Sequence, residues 1–459
     1  MDRLKPMKNY LSKLSIAKID RIVVGAFFLA ANIQAYAGLP IQHWTTPGGA
    51  RVYFVEARSL PMLDISIEFA AGSSRDPVNR SGTASMAAGL MNNGAGGLNE
   101  TEISTKIANI GALVGSSFDQ DRAGWSVRTL SSALERNEAL DVLAKIIQDP
   151  AYPVEILDRE KAQLVAALRQ ATSDADSVAE RQFFKALYQD HPYAQKPTET
   201  TIKPITRDDV VAFYRAHYTV DNAVVAMIGD ISRAEAEAIA EKLTGKLPKS
   251  QVAIATVAPV KIPEKPLLKE VQFPSTQSHI MLGYPGMKRV DPDYFPLLVG
   301  NFILGGGGFA SRLTNEVREK RGLVYSVSSY FMPMNELGPY RVALQTRKDQ
   351  TKEALQVVRD TIKEFIDNGP TEDELANAKR NLGGGFPLRI DSNRKQFEYL
   401  QLIGFYKLPL TFLDDYVKKV ELVTVAEIKD AFKRRVVPDN MVTVVVGLPD
   451  STEQKVEAK

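Results

Sequence analysis

The sequence predicts an α+β protein in which one folding unit occurs twice. Three observations carry that prediction: a repeat at a constant offset, an irregular alternation of strand and helix signals, and ample apolar side chain. Thr206–Gly229 (TRDDVVAFYRAHYTVDNAVVAMIG) lies over Thr424–Gly447 (TVAEIKDAFKRRVVPDNMVTVVVG) at an offset of 218 residues. So long a period means a duplicated domain, not a solenoid of short repeats. Strand and helix signals alternate without regular βαβ spacing, which argues for α+β rather than a doubly wound parallel sheet. The 459 residues are 44% hydrophobic and 24% charged, ordinary globular usage that can fill more than one core.

The first 37 residues read as a secretory signal. They hold six Lys/Arg and two Asp, followed by the apolar run Ile22–Ile33 and by Ala35-Tyr36-Ala37, an A-x-A cleavage site. The 12-residue run falls short of the roughly 20 residues that span a bilayer as a helix. The expectation is cleavage after Ala37, no stable membrane anchor, and an exported chain, periplasmic if the source is a Gram-negative bacterium. Beyond the leader, residues 38–459 carry 51 basic and 53 acidic side chains, so no footprint for nucleic acid remains. The absence of Cys excludes disulfides, Cys-ligated zinc, iron–sulfur clusters and thiol nucleophiles.

Residues 38–247 form the first unit and 267–452 the second, with a tail at 453–459. Between them, residues 248–266 hold Pro248, Pro259, Pro263 and Pro266 and no Gly, the composition of an extended, stiff linker. Each repeat opens with Thr and an acid three residues on (Thr206/Asp209, Thr424/Glu427), a capping-box pattern. Apolar residues at helical spacing follow. An Asp-Asn turn (Asp221-Asn222, Asp439-Asn440) then leads into a β-branched run, the signal of a buried strand. The same offset sets Pro153–Arg169 over Thr371–Pro387, both helical. An offset near 211 sets Gly111–Phe118 over Gly322–Ser329, each a helix end feeding a strand.

The segment GGGGFASRLTNEVREKRGLVYSV (Gly305–Val327), the two-unit order and the VDN and PDN endings resemble the M16 family (pitrilysin/insulinase, mitochondrial-processing-peptidase-like), closest to its short two-domain M16B members. The resemblance implies two homologous domains, each a mixed or mostly antiparallel sheet covered by helices. It also implies an inverted zinc motif, His-x-x-Glu-His, with a second Glu further along the chain. Two His four residues apart share a helix face and, with the distant carboxylate, give three ligands, while the intervening Glu serves as general base. Here Ser85 and Gly89 stand where the two His would be, Ala88 where the base would be, and Ala166 where the third ligand would be. The four His of the chain (His43, His191, His217, His279) never fall at i,i+4. No catalytic zinc is expected on this chain.

The resemblance assigns a second pair of residues. In family members an Arg, and a Tyr seven residues later, bind the scissile region of the substrate from the C-terminal domain; here they are Arg318 and Tyr325. The spacing predicts a helix over Ser311–Arg321 with Leu313 and Val317 on its apolar side, a left-handed stop at Gly322, and a strand from Leu323. A guanidinium and a phenol so held can converge on one carbonyl oxygen and donate to a developing oxyanion. On spacing alone the two read as a solvated helix residue and a half-buried strand residue; the resemblance reverses that.

The run Gly305, Gly306, Gly307 and Gly308 lacks the following Lys-Ser/Thr of a phosphate loop. It reads mainly as turn geometry, with substrate contact implied by the glycine-rich loop of processing-peptidase non-catalytic subunits. The expectation is therefore the non-catalytic subunit of a heterodimeric zinc peptidase acting on peptides, with zinc on a partner chain that carries His-x-x-Glu-His. A peptide-binding or scaffold protein of the same fold, without a role in catalysis, is the alternative. An autonomous serine hydrolase is disfavoured, because the chain has no G-x-S-x-G elbow and no His near Ser85 to activate it.

Overall fold

The computed structural model describes residues 39–251 and 255–447. The signal segment 1–37, its cleavage site and the tail 453–459 lie outside the described residues. From Ile41 onward the chain forms one compact unit. No described helix is long and apolar enough to cross a membrane.

The first half supplies β1 (Gln42–Thr45), β2 (Arg51–Glu56), β3 (Met62–Phe69), a short ribbon of β4 (Gly94–Ala95) and β5 (Leu98–Asn99), then β6 (Leu113–Phe118), β7 (Ala123–Leu130) and β8 (Val224–Gly229). The second half supplies β9 (Leu267–Val271), β10 (Gln277–Met287), β11 (Val324–Phe331), β12 (Gly338–Arg347) and β13 (Val442–Val446). The sheets run β1-β2-β8-β3-β7-β6 and β9-β13-β10-β12-β11. Apart from β1 they have one topology. Each contains a single parallel pair, β2 with β8 and β9 with β13, and is otherwise antiparallel. The α+β class and the duplication expected from the sequence are what the structure has.

Local chemistry makes the repeat. The helices Arg207–His217 and Val425–Arg435 both start at a complete capping box. The Asp209 carboxylate accepts from the Thr206 amide at 2.8 Å, and the Asp209 amide donates to the Thr206 hydroxyl at 3.2 Å. Thr424 and Glu427 repeat this at the same two distances. Each arrangement satisfies two of the amides that a helix start leaves open. The strands that follow, VVAMIG and VTVVV, are buried along their whole length. Such continuous apolar runs, rather than alternating ones, belong to strands covered on both faces.

What covers the second face is an exchange. Helix Ala175–Tyr188 belongs to the first half, yet it packs on β10 and β13 of the second sheet. Its Ala179, Phe183, Phe184 and Leu187 share a core with Met281, Val442, Val444 and Val446. Helix Asn393–Tyr406, displaced by the same 218 residues, belongs to the second half and packs on β2, β3 and β8 of the first sheet. There the Arg51 guanidinium donates to the Gly404 carbonyl at 2.8 Å. A Cβ on Gly404 would lie 2.9 Å from the Tyr53 ring and 3.0 Å from Val224, so the helix approaches the sheet as closely as only glycine allows.

The ends of both exchanged helices meet at Asp121, in the turn between β6 and β7. One carboxylate oxygen accepts from the Tyr193 hydroxyl at 2.6 Å, just beyond the first exchanged helix. The other accepts from the Tyr406 hydroxyl at 3.0 Å, at the end of the second, and from the Asn335 amide at 2.7 Å, in the β11–β12 loop. The Tyr193 oxygen in turn accepts from the Glu336 amide at 3.0 Å. Burial pushes the Asp121 carboxyl above the usual range, against the pull of these donors. Burial and the Asp121 charge together push both phenols up, so they stay protonated donors.

Replacing Asp121 with Ala strands three donors and is expected to destabilise the protein by about 2–4 kcal/mol. The two Trp of the chain, Trp44 and Trp125, both lie in the first half. Urea unfolding followed by Trp emission and by far-UV circular dichroism is expected to give coincident curves, shifted together in Asp121→Ala. Separate transitions in the unmodified protein would show that the exchange does not couple the halves.

Candidate functional site

Arg318 and Tyr325 come together, on two irregular elements. The segment read as a regular helix is a π-helix over Thr314–Glu319, with the Lys320 amide donating to the Asn315 carbonyl at 3.0 Å. Leu313 and Val317 fill the core beneath it. Gly322 ends it at φ 62°, the left-handed stop the sequence called for. The register of β11 against β12 shifts between Val324 and Val327. Those two valines are buried, while Tyr325 and Ser326 between them both face outward. The extra residue of the bulge re-aims Tyr325 out of the sheet. One-turn π segments and bulges concentrate at functional sites because each offers a side chain in a direction the regular element would not.

The result is an exposed shelf. Tyr325 is 83% exposed and Phe309 74% exposed. The Arg318 guanidinium carbon lies 4.7 Å from the Phe309 ring centroid and 5.5 Å from that of Tyr325. It also pairs with Glu319 at 3.5 Å. Two rings hold the cation by their faces, at about 0.5–1 kcal/mol each where solvent reaches them, and engage none of its N–H donors, of which Nη1 alone pairs with Glu319 among the described residues. With Gly308, Thr314, Ser326 and Val327 these side chains line a cleft of about 310 Å³.

Phe309 is the residue that sequence reasoning missed. It stands inside the segment quoted for the resemblance, but nothing in the pattern tells an exposed Phe from a buried one. The glycine run divides. Gly305 packs against β11, where a Cβ would lie 2.3 Å from the Ser329 hydroxyl. Gly306 and Gly307 fold back on Asn301 and Phe302. Asn301 clamps this turn to the strand, donating to the Ser329 carbonyl at 2.9 Å and accepting from its hydroxyl at 2.7 Å. Gly308 alone, at φ 59° with open space around it, lines the cleft.

The four degenerate positions do not fit a metal. Ser85, Ala88 and Gly89 lie on helix Thr83–Gly89 and Ala166 on helix Val154–Ala171. The Ser85 hydroxyl donates to the Gly82 carbonyl at 2.9 Å. Ala88 is buried, and its carbonyl accepts from the Trp125 indole at 3.1 Å. The Ala87 carbonyl accepts from the Tyr152 hydroxyl at 2.9 Å. Zinc needs imidazole, carboxylate or thiolate, and these positions present methyls, a bare backbone and one engaged hydroxyl. Among the described residues, no group of three or more His, Asp or Glu could hold a metal ion.

Asp76 starts this helix, accepting from the Gly82 amide at 2.9 Å and the Ala84 amide at 2.7 Å. Burial nevertheless pushes its carboxyl up to about 6, from 3.8.

Residues 52–201 match the family model described as Insulinase (Peptidase family M16). Residues 204–382, which include the Arg318 cleft, match the model described as Peptidase M16 inactive domain. The crystal structure of a peptidase M16 inactive domain from Pseudomonas fluorescens is 39% identical, with a TM-score of 0.86, over 90% of this chain and 98% of that one. The chain belongs to the M16 family. A non-peptidase homolog from Helicobacter pylori is 26% identical over 86% of this chain and 91% of its own length. An uncharacterized zinc protease from Streptomyces coelicolor is 26% identical over 76% and 77%. The M16 relatives thus include proteins described as zinc proteases and as non-peptidases.

Two outcomes are expected of this site. After dialysis against trace zinc, the isolated chain should retain far less than one metal per chain; one tightly held zinc would contradict the reading of the degenerate helix. Asp76 sets a pH dependence. Its folded pKa lies above its unfolded value, so the native state holds the proton more tightly and loses stability as pH rises from about 4 to about 6. Against Asp76→Asn, which cannot ionise, the unmodified protein should lose about 3 kcal/mol across that window, read from urea midpoints. A gain with rising pH would reverse the assignment.

Proposed function

We propose that this chain is the non-catalytic subunit of a heterodimeric M16B zinc peptidase in the periplasm. A partner chain carrying His-x-x-Glu-His supplies the zinc. This chain supplies Arg318, Tyr325 and half of the chamber that encloses a peptide. The observation that carries the reading is a contrast within one polypeptide: the zinc-ligand positions hold Ser, Gly and Ala, while in the second half a half-buried guanidinium is held beside an exposed phenol. A protein that served only as a scaffold has no need of an exposed Arg–Tyr pair. The match of the second half to a model described as an inactive domain, and the Helicobacter pylori relative described as a non-peptidase homolog, support the absence of autonomous peptidase activity. The basic, apolar and A-x-A sequence of residues 1–37 supports export.

In this reading Arg318 and Tyr325 receive the carbonyl oxygen of the scissile peptide. The guanidinium already binds the ground-state carbonyl, through donors that the two rings leave free. The phenol adds a hydrogen bond that strengthens as negative charge develops on that oxygen. The chain holds both donors ready, so little reorganisation accompanies the reaction.

Alone, the chain should not hydrolyse peptides, and adding the partner should switch activity on. In the reconstituted complex, Tyr325→Phe should lower kcat by about 10²–10³, or about 3–4 kcal/mol. Arg318→Ala should lose a comparable amount and also raise KM. Zinc content and complex size should stay unchanged, because neither residue is a metal ligand. Near-unmodified kcat/KM in both variants would reduce this subunit to a wall of the chamber, the scaffold reading.

A further inference from the structure

We propose that the cavity at the junction of the two halves binds an apolar residue through its free carboxylate, with Arg289 as the partner of that anion. The cavity lies beside the Asp121 turn, apart from the Arg318 cleft, and the proposal needs no partner chain. Its volume is about 490 Å³, within the roughly 300–1,000 Å³ of small-ligand pockets. Met287, Leu298, Phe331, Met332, Met334 and Leu402 form most of its apolar wall. Methionines on a wall adapt to varied apolar shapes.

Four charged side chains line the cavity: Asp119, Asp121, Arg122 and Arg289. Three of them are already engaged. Both oxygens of Asp121 are taken by Tyr193, Tyr406 and the Asn335 amide. Asp119 pairs with Arg122 at 3.0 Å, and Arg122 also pairs with Glu68 at 3.0 Å.

Arg289 is different. It makes no ion pair among the described residues, and its Nε is buried with no hydrogen-bond partner. The Tyr406 ring, 5.2 Å away, and the Tyr294 phenol steady the guanidinium. A guanidinium that lines an apolar-walled cavity, is steadied by two aromatic side chains and has no carboxylate partner among the described residues matches a carboxylate on an apolar body. The carboxylate would accept from two N–H groups of the fork at once, and the apolar body would leave water for the methionine wall. A cation has no free carboxylate here to meet it. A phosphate dianion would face apolar walls with one guanidinium to offset its charge. The C-terminal residue of a peptide has the required chemistry, and so does a free acyl acid.

Calorimetric titration of the chain from residue 38 onward tests this with three probes: acetyl-Ala-Ala-Leu as the free acid, the same tripeptide as its C-terminal amide, and octanoate. The free acid is expected to bind at least tenfold more tightly than the amide. Arg289→Met should abolish that preference at an unchanged melting temperature, and Arg289→Lys should keep it in weakened form. Binding of the tripeptide acid without octanoate assigns the site to peptide C-termini; binding of octanoate without the tripeptide assigns it to acyl acids. Equal binding of acid and amide, or no binding of either acid, overturns the proposal. The acid–amide comparison on the unmodified chain stands even if Arg289→Met fails to fold.

Discussion

The structure depends on one buried carboxylate that both halves need. Asp121 sits in a turn of the first sheet, yet the groups that satisfy it come from the ends of two exchanged helices and from a loop of the second sheet. A buried carboxylate without donors is costly, and each of these donors would be unpaired without it. The exchange therefore cannot be undone one helix at a time. It also accounts for the buried strands: β8 and β13 are buried along their whole length, and each carries the other half's helix. Duplication supplied two copies of one unit, and the exchange made them one folding body.

Much of this was legible in the residues, and the illegible part has physical reasons. Capping boxes, Asp-Asn turns and β-branched runs are local, so Thr206–Gly229 and Thr424–Gly447 announced the repeat and the element order. An apolar helix face reports that a helix packs, not on which sheet. Phe183, Phe184 and Leu187 would read the same over either half, so the exchange left no mark in the periodicity. Asp121 was equally silent, because its partners are 72, 214 and 285 residues away in sequence.

The site divides along the same line. Arg318, Tyr325 and the stop at Gly322 came from spacing and family likeness, and the structure brings the pair together. The π-helix and the bulge that aim them did not, because each is one inserted residue in an otherwise regular pattern. Ser85, Ala88, Gly89 and Ala166 were readable as residues that offer zinc at most one hydroxyl, and packing shows how their helix is held. The helix that would carry ligands is held by Asp76 at its start and by Trp125 and Tyr152 on its last carbonyls. Hydrogen bonds within the chain are enough to organise it. The fold stands without ligand side chains at these positions while Tyr325 stays exposed, which is what the proposal of a chain completed by a partner requires.

The most direct measurement of that central claim is purification of the native protein from its own host, with mass determination and metal analysis of the intact assembly. The account predicts a one-to-one complex with a second M16 chain that carries His-x-x-Glu-His and a single zinc, with peptidase activity present in the complex and absent from this chain alone. A chain that purifies by itself and hydrolyses peptides in a chelator-sensitive way would contradict it.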